Sequence, residues 1–203
     1  LPARFAACRL APVLASVRAA PLERPAMLRL DGWTRRLVIR WLAVSRGAAD
    51  AHARLAGIER ERIDVVPNAL EVDELRSCRP AERDRAGLPV PPGAFVIASL
   101  ARLHAQKGLG DAVESIALLG DPAHLVIAGE GPEREALLRL AAERGVAGRV
   151  HLTGVGDPRA LLCRADAFVL PSLFEGMPGA LLEAMALGVP CVATGIPGTD
   201  EVA

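Results

Sequence analysis

Residues 101–108 combine two cations with the start of a predicted helix. The segment reads Ala-Arg-Leu-His-Ala-Gln-Lys-Gly, follows a predicted strand, and carries Arg102 and Lys107. The N–H groups that begin a helix already favour anions. Lys107 is the single lysine of a chain whose other basic residues are all arginine, and lysine offers a compact charge on a flexible stem. The segment predicts a diphosphate site, and two surface cations near a loop are the alternative.

Residues 171–188 carry two carboxylates, Glu175 and Glu183, with seven residues between them. Glycines at 176 and 179 let the backbone approach a ligand closely. The N–H groups of Gly179–Leu181 begin a predicted helix and are placed to meet phosphate or sugar oxygens. Because carboxylates accept hydrogen bonds from paired hydroxyls, the pair suits a sugar or a ribose. A helix-capping acid beside an unrelated surface acid is the alternative.

Both segments follow strands of a regular α/β pattern that begins after residue 93. Its strands are continuous apolar runs, which are typical of a parallel sheet buried on both faces, and helices alternate with them. We therefore predict a doubly wound sheet that binds its ligand beyond the carboxyl ends of the strands. The predicted strands are Phe95–Leu100, His124–Ala128, Val150–Thr153, Ala167–Leu170 and Val189–Ala193. A helix from about Gly108 to Leu119 is predicted after the first strand, with one apolar face formed by Leu109, Ala112, Val113 and Ile116. Another helix is predicted to open at Pro132 after the second strand.

The first part of the chain predicts the end of a separate α/β domain. Leu37–Val44 and Ile63–Val66 are strand-like, and Ser45 is a good N-cap for a helix that stops at Gly57. Residues 71–93 are rich in charges and prolines and indicate a linker. The expected domains are 1–92, the remnant of an N-terminal domain with its linker, and 93–203, a ligand-binding domain.

Composition excludes some classes of function. The formal net charge is zero, so nothing points to a nucleic-acid partner. Residues 1–60 hold eleven arginines against four acids, which suits either contact with an anionic membrane surface or a solvated face. No apolar run reaches the roughly 18 residues of a membrane span. The four cysteines are far apart, so we expect reduced thiols, no zinc site and a cytoplasmic location.

The stretch Glu175–Gly188 closely resembles the E-G-hydrophobic-P-x-x-L-L-E-A-M-A-x-G segment of retaining GT-B glycosyltransferases, glycosyltransferase family 4. Leu100–Gly108 is similar to that family's phosphate turn. Three more stretches match in the family's order: Val44-Ser45 with Ile63–Asn68, Gly129–Pro132, and Ala165–Ser172. The resemblance covers roughly residues 37–203. It implies a GT-B fold, represented here by a truncated C-terminal domain and the tail of the N-terminal domain.

The resemblance also implies roles for individual residues. Arg102 and Lys107 would hold the diphosphate of a nucleotide-sugar donor and stabilise the leaving group. Glu175 would touch the transferred sugar and Glu183 the ribose, while Val155 would lie near the base. The loop and helix start between the two glutamates would complete the donor site, through Gly176, Met177, Pro178, Gly179, Ala180 and Leu181. The reaction would retain anomeric configuration and need neither a metal nor a cofactor.

The resemblance leaves several points open. It implies an acceptor that is a glycan, a lipid or a small molecule. An epimerase or phosphorylase of the same fold, or a donor-binding fragment without activity, remains an alternative. Gly129-Glu130-Gly131 also resembles half of a dinucleotide-binding motif, but Arg134 stands where the third glycine is needed. The sequence departs from the family at Ala101, Ala69 and Gly179, positions where the family usually has Gly, Gly and Asn.

Overall fold

The computed structural model describes residues 11–18, 25–76 and 87–202. These residues form two compact units. The first contains the residues up to Ala69, together with Phe174–Pro178 and the residues from Gly195 onward, and the second contains Leu70–Leu173 and Gly179–Thr194. Each unit has a parallel sheet with helices, so the predicted α/β class is confirmed.

The sheet of the first unit has three parallel strands in the order β1-β2-β3. Its core is built around Trp41, which is 1% exposed. The predicted cap is confirmed, because the hydroxyl of Ser45 accepts a hydrogen bond from the N–H of Ala48 at 3.0 Å. The predicted strand over residues 37–44 is shorter, since Arg35–Leu37 forms a 3-10 turn. The elements are β1 (Leu14–Val17), α1 (Pro25–Trp33), β2 (Arg40–Ala43), α2 (Arg46–Ala56) and β3 (Ile63–Val65).

The second unit alternates strands and helices as predicted. Helix α5 begins at Arg134, two residues later than Pro132, because residues 131–133 form a turn. A five-residue helix, α3, lies within the predicted linker. The elements are α3 (Val72–Arg76), β4 (Phe95–Leu100), α4 (Leu109–Leu119), β5 (Ala123–Ala128), α5 (Arg134–Glu143), β6 (Val150–Gly154), α6 (Pro158–Leu162), β7 (Ala167–Leu170), α7 (Gly179–Ala186) and β8 (Cys191–Ala193).

The five strands of this unit are parallel and lie in the order β6-β5-β4-β7-β8. The central strand, β4, pairs Ile97 with Leu125 on one side and with Ala167 on the other. The chain moves outward from β4 to β6 and then crosses back to β7, so the direction of winding reverses between β4 and β7. In a doubly wound sheet this reversal opens a crevice at the carboxyl ends of the two strands.

The cysteines differ in their bonding state. Cys163 forms a disulfide bond, so the expectation of reduced thiols is wrong for this residue, whereas Cys191 is free. Widely spaced cysteines show no pairing in the sequence, and only the fold decides which of them meet. No helix within the described ranges has the length and apolar character needed to cross a membrane.

Candidate functional site

The turn after β4 carries both predicted cations, and we call residues 101–108 the cationic turn. Arg102 is exposed and Lys107 is half-buried at the end of a 3-10 turn. The ring of His104 shapes this turn, because its Nδ1 accepts a hydrogen bond from the N–H of Gln106 at 3.3 Å. Two cations thus stand at the crevice between β4 and β7, where an anionic ligand of a doubly wound sheet is expected.

The cationic turn contacts the segment that follows β7. The N–H of Leu173 donates a hydrogen bond to the carbonyl oxygen of Gln106 at 2.8 Å. Gly108 has φ +58, and a Cβ atom there would lie 2.1 Å from the carbonyl oxygen of Pro171. Only glycine tolerates both conditions without a shift of the backbone. The structure therefore brings together two segments that the sequence separates by about seventy residues.

The turn after β5 packs against the other side of the cationic turn. A Cβ atom on Gly129 would lie 1.9 Å from the carbonyl oxygen of Ala101, and one on Gly131 would lie 2.3 Å from that of Leu103. These glycines are needed for the approach of two backbone segments. The partial resemblance to a dinucleotide-binding motif therefore has a structural explanation.

An open depression lies at the carboxyl ends of β5 and β6. Its volume is about 430 Å³. Gly154 is the last residue along the chain that lines the depression. Val155, which was predicted to lie near the base of the donor, follows it and is 79% exposed. Glu130 and Arg134 also line this depression, and neither was predicted to bind the donor, although Glu130 belongs to a matched stretch. The lining residues are Glu130, Gly131, Arg134, Leu152, Thr153 and Gly154.

Helix α7 presents the predicted backbone donors and the second carboxylate. It begins at Gly179, so the N–H groups of Gly179–Leu181 have no acceptor within the helix. Leu181 is 1% exposed, which buries its side chain in the unit. Glu183 is half-buried, and burial raises the pKa of its carboxyl group while the positive charge of Arg159 acts in the opposite direction. A carboxylate in this setting favours a ligand that supplies hydrogen-bond donors.

The loop with the first carboxylate, Phe174–Pro178, belongs to the first unit, and we call it the Glu175 loop. Glu175 itself is half-buried. The side-chain amide of Asn68 donates a hydrogen bond to the carbonyl oxygen of Met177 at 3.0 Å, and the Asn68 N–H donates to its sulfur at 3.3 Å. Asn68 lies in one of the matched stretches of sequence. Its contact with Met177 could not be inferred from the spacing of the two glutamates.

Among the described residues, no group of three or more His, Cys, Asp or Glu side chains is arranged to hold a metal ion. The expectation of a site without a metal remains a prediction.

Several bacterial proteins are similar in sequence. The 2-deoxystreptamine glucosyltransferase of Streptomyces kanamyceticus is 29% identical over 187 residues, which are 87% of this chain and 48% of the relative. The putative teichuronic acid biosynthesis glycosyltransferase TuaC of Bacillus subtilis is 32% identical over 166 residues, 79% of this chain and 40% of TuaC. This chain therefore spans half or less of the length of these relatives.

Solved structures show the same fold. HepE of Anabaena, in complex with UDP-glucose, has a TM-score of 0.85 at 21% identity, and the match covers 95% of this chain and 56% of HepE. WaaG, a glycosyltransferase involved in lipopolysaccharide biosynthesis, has a TM-score of 0.74 at 19% identity, and the match covers 93% of this chain and 58% of WaaG. The predicted GT-B fold is confirmed by these matches together with the strand order. Residues 94–203, more than half of the chain, match the family described as glycosyl transferases group 1, and the protein belongs to that family.

Proposed function

We propose that this chain provides the donor site of a glycosyltransferase that moves a sugar from a nucleoside diphosphate sugar to an acceptor. The observation that carries the proposal is the contact between the cationic turn and the segment after β7. It supports a role for Lys107, because the neighbours of this residue, Gln106 and Gly108, contact Leu173 and Pro171 after β7. A nucleoside diphosphate sugar offers anionic phosphates and paired hydroxyls, which are the groups that these elements suit.

The proposed roles follow from the chemistry of each group. Arg102 and Lys107 bind the diphosphate, and Glu183 accepts hydrogen bonds from the ribose hydroxyls. Glu175 accepts a hydrogen bond from the transferred sugar, and the N–H groups of Gly179–Leu181 bind sugar or phosphate oxygens. Val155 lies against the base.

In the transfer, the oxygen of an acceptor hydroxyl bonds to the anomeric carbon while the bond from that carbon to the diphosphate oxygen breaks, and the hydroxyl proton passes to the departing phosphate or to water. The leaving nucleoside diphosphate takes the electron pair, so negative charge grows on the phosphate. We propose that Arg102 and Lys107 stabilise this charge without a metal ion. The chain has no Asp-x-Asp pair, the metal-diphosphate signature of the other glycosyltransferase fold. Retention of anomeric configuration is proposed from the family resemblance.

The names of the relatives indicate which donors and acceptors to test first. Since HepE binds UDP-glucose, uridine diphosphate sugars are the first donors to test. The relatives' names include a glucosyltransferase for a small aminocyclitol and enzymes of lipopolysaccharide core and teichuronic acid synthesis. We therefore propose an acceptor that is a glycan, a lipid or a small molecule.

Peripheral contact with an anionic membrane is proposed from helix α1. Met27, Leu30 and Trp33 recur at helical spacing, and they are 50%, 38% and 76% exposed. Arg29 and Arg36 are exposed beside them. Apolar side chains flanked by cations are the composition that binds the surface of an anionic bilayer.

A thermal-shift panel of UDP-, GDP-, ADP- and dTDP-sugars tests donor binding, because a ligand that binds only the folded state raises Tm. The expected result is a shift with one nucleotide family and none with NADH. Transfer is then assayed with the labelled donor and a mixed acceptor extract. Free epimerised donor formed without acceptor supports an epimerase, sugar phosphate formed with inorganic phosphate supports a phosphorylase, and binding without turnover supports a donor-binding fragment. No shift with any donor would contradict the proposal.

A further inference from the structure

We infer that Glu201 is a positioning residue for the Glu175 loop, and that it acts through a turn formed by residues 196–202. The inference rests on the proposed role of Glu175 at the transferred sugar. All the residues that carry it belong to the first unit.

Residues 196–202 form a hydrogen-bonded turn, which we call the Thr199 turn. The hydroxyl of Thr199 accepts a hydrogen bond from the N–H of Ile196 at 3.1 Å and donates one to the carbonyl oxygen of Ile196 at 3.0 Å. The N–H of Val202 donates to the carbonyl oxygen of Thr199 at 2.9 Å. Thr199 is 2% exposed, so these bonds are shielded from water. The turn is therefore an ordered support with Glu201 at a fixed place in it.

Glu201 joins the Thr199 turn to the amino end of helix α2. One oxygen of its carboxylate accepts a hydrogen bond from the N–H of Arg46 at 2.8 Å, and the other accepts one from the N–H of Gly47 at 2.6 Å. The next N–H, that of Ala48, is bonded to the hydroxyl of Ser45. The positive end of a helix favours a carboxylate, and a carboxylate that receives two N–H donors is held in position.

Backbone contacts continue from the Thr199 turn to the Glu175 loop. A Cβ atom on Gly47 would lie 2.5 Å from Cβ of Pro197, so helix α2 and the turn touch directly. A Cβ atom on Gly198 would lie 2.7 Å from the carbonyl oxygen of Gly176 and 2.8 Å from that of Glu175. The buried Gly198 therefore packs without a side chain against the backbone of the catalytic candidate itself.

The Glu175 loop also contacts the residues that follow β1 and β2. A Cβ atom on Gly176 would lie 1.8 Å from the carbonyl oxygen of Arg18 and 2.9 Å from a methyl carbon of Val44. The loop thus contacts the ends of β1 and β2 as well as the Thr199 turn. Asn68 adds the two hydrogen bonds to Met177 described above. Glu201 connects the Thr199 turn to helix α2 by two hydrogen bonds that span more than 150 residues of sequence.

Removal of these hydrogen bonds is expected to loosen the turn and hence the Glu175 loop. Displacement of a catalytic group by about 1 Å costs roughly a hundredfold in rate, so kcat is the sensitive quantity. Binding of a nucleoside diphosphate without sugar is not expected to change, because the proposed phosphate and ribose residues, Lys107 and Glu183, belong to the second unit.

The test compares Glu201→Ala and Glu201→Gln with Asp200→Ala in the full-length protein. Asp200 is the adjacent exposed acid and provides the matched control. Hydrogen–deuterium exchange is followed on peptides covering residues 45–48 and 173–178, and kcat, donor KM and nucleoside diphosphate Kd are measured. Glu201→Ala is expected to accelerate exchange in both peptides and to lower kcat about ten- to a hundredfold, with Kd unchanged. Glu201→Gln, which keeps one carbonyl acceptor, should fall between, and Asp200→Ala should match the unaltered protein.

Unchanged exchange at residues 173–178 in a folded Glu201→Ala protein would overturn the inference, as would equal losses in the Asp200→Ala control. If Glu201→Ala does not fold, Gly198→Ala provides the second variant, because its Cβ presses on the same two carbonyl oxygens. It should accelerate exchange in the 173–178 peptide more than in the 45–48 peptide, and the reverse order counts against the inference. The exchange readout needs no turnover, so a protein without transferase activity would refute the proposed function and still test the positioning role.

Discussion

Gly108 and Pro171 lie so close together that the cationic turn can contact the segment after β7 only without a side chain at position 108. A Cβ atom on Gly108 would lie 2.1 Å from the carbonyl oxygen of Pro171. The hydrogen bond from Leu173 to Gln106 lies beside this contact. The proposed phosphate site therefore depends on the direct packing of two backbone segments as well as on its charged side chains.

Substitution Gly108→Ala is expected to separate these two segments. Gly57→Ala is the matched control, because Gly57 has the same left-handed conformation but a Cβ atom there would have no neighbouring atom within 4 Å. The control should lose about 1 kcal/mol of unfolding free energy from backbone strain alone. Gly108→Ala should lose about 1–3 kcal/mol more from the clash, and it should also weaken nucleoside diphosphate binding. Urea denaturation and calorimetric titration measure the two effects, and equal losses in both variants would contradict the packing argument.

Removal of the Lys107 side chain tests the phosphate site. Lys107→Ala is expected to weaken binding of a nucleoside diphosphate sugar about ten- to a hundredfold, the usual effect of losing a charge-assisted hydrogen bond. Arg139→Ala, at an exposed arginine of α5, is the control for a lost positive charge at a distance. The thermal shift given by the donor should disappear in the first variant and persist in the second. A full shift in Lys107→Ala would remove this lysine from the site.

The two glutamates are expected to serve different parts of the donor. Glu183→Ala should weaken binding of the bare nucleoside diphosphate as well as of the sugar donor, since both contain the ribose. Glu175→Ala should weaken only the donor, because its proposed partner is the sugar. Each loss is expected to be about 1–3 kcal/mol. Titration calorimetry of both variants with both ligands gives four numbers, and equal losses throughout would refute the division of roles.

Acidification is expected to destabilise the second unit through His151. Its Nε2 lies 3.1 Å from Nδ1 of His124, and burial, followed by the charge of His124, lowers the pKa of His151. On acidification, His151 is therefore protonated in the unfolded chain at a higher pH than in the folded protein. The free energy of unfolding keeps its full value above about pH 6.5 and falls as the pH drops from there towards the lowered pKa of the folded state.

The measurement is the urea midpoint between pH 7.5 and pH 5.5, for the unaltered protein and for His151→Gln. The raised pKa of Glu183 has the opposite effect, since protonation of that buried carboxyl group stabilises the folded state as the pH falls. The comparison with His151→Gln cancels this contribution, because both proteins retain Glu183. If His151→Gln loses as much stability on acidification as the unaltered protein, the role of the histidine pair is contradicted.

Helix α1 is expected to bind anionic vesicles. Co-sedimentation should be seen with phosphatidylglycerol vesicles and not with phosphatidylcholine vesicles, and it should weaken as salt is added, because the arginine contribution is screened. Trp33→Ala should reduce vesicle binding, because it removes the most exposed of the three apolar side chains of α1 named above. Leu118→Ala, at an 89% exposed leucine of α4, is the matched control. Equal binding by both variants would assign the contact to another surface.

Much of the second unit could be predicted because local signals agreed with its tertiary structure. Apolar runs marked β4 and β7 with the bounds that the structure has, and the stripe from Leu109 to Ile116 marked the buried face of α4. The start of α5 was predicted two residues early, at Pro132, because the same residues also favour the turn that they form. Charge and glycine content pointed to the cationic turn and to the two-glutamate segment before any contact was known.

Contacts over long sequence separations could not be predicted in this way. Nothing near Glu201 in the sequence indicates the N–H groups of Arg46 and Gly47, more than 150 residues away. The spacing of Glu175 and Glu183 suggested one continuous segment, whereas the loop of the former packs in one unit and the helix of the latter in the other. The disulfide bond of Cys163 was missed for the same reason.

The sequence alone determined which residues are candidates for the site, because a side chain's charge and a turn's glycine content are local properties. It also determined the alternation of strands and helices, since hydrophobic periodicity is read over a few residues. Only the tertiary structure decided that β4 and β7 are neighbours, and so that the cationic turn packs against the segment after β7. Strand order is set by the burial of whole faces and the packing of distant backbones, which no short stretch of sequence encodes.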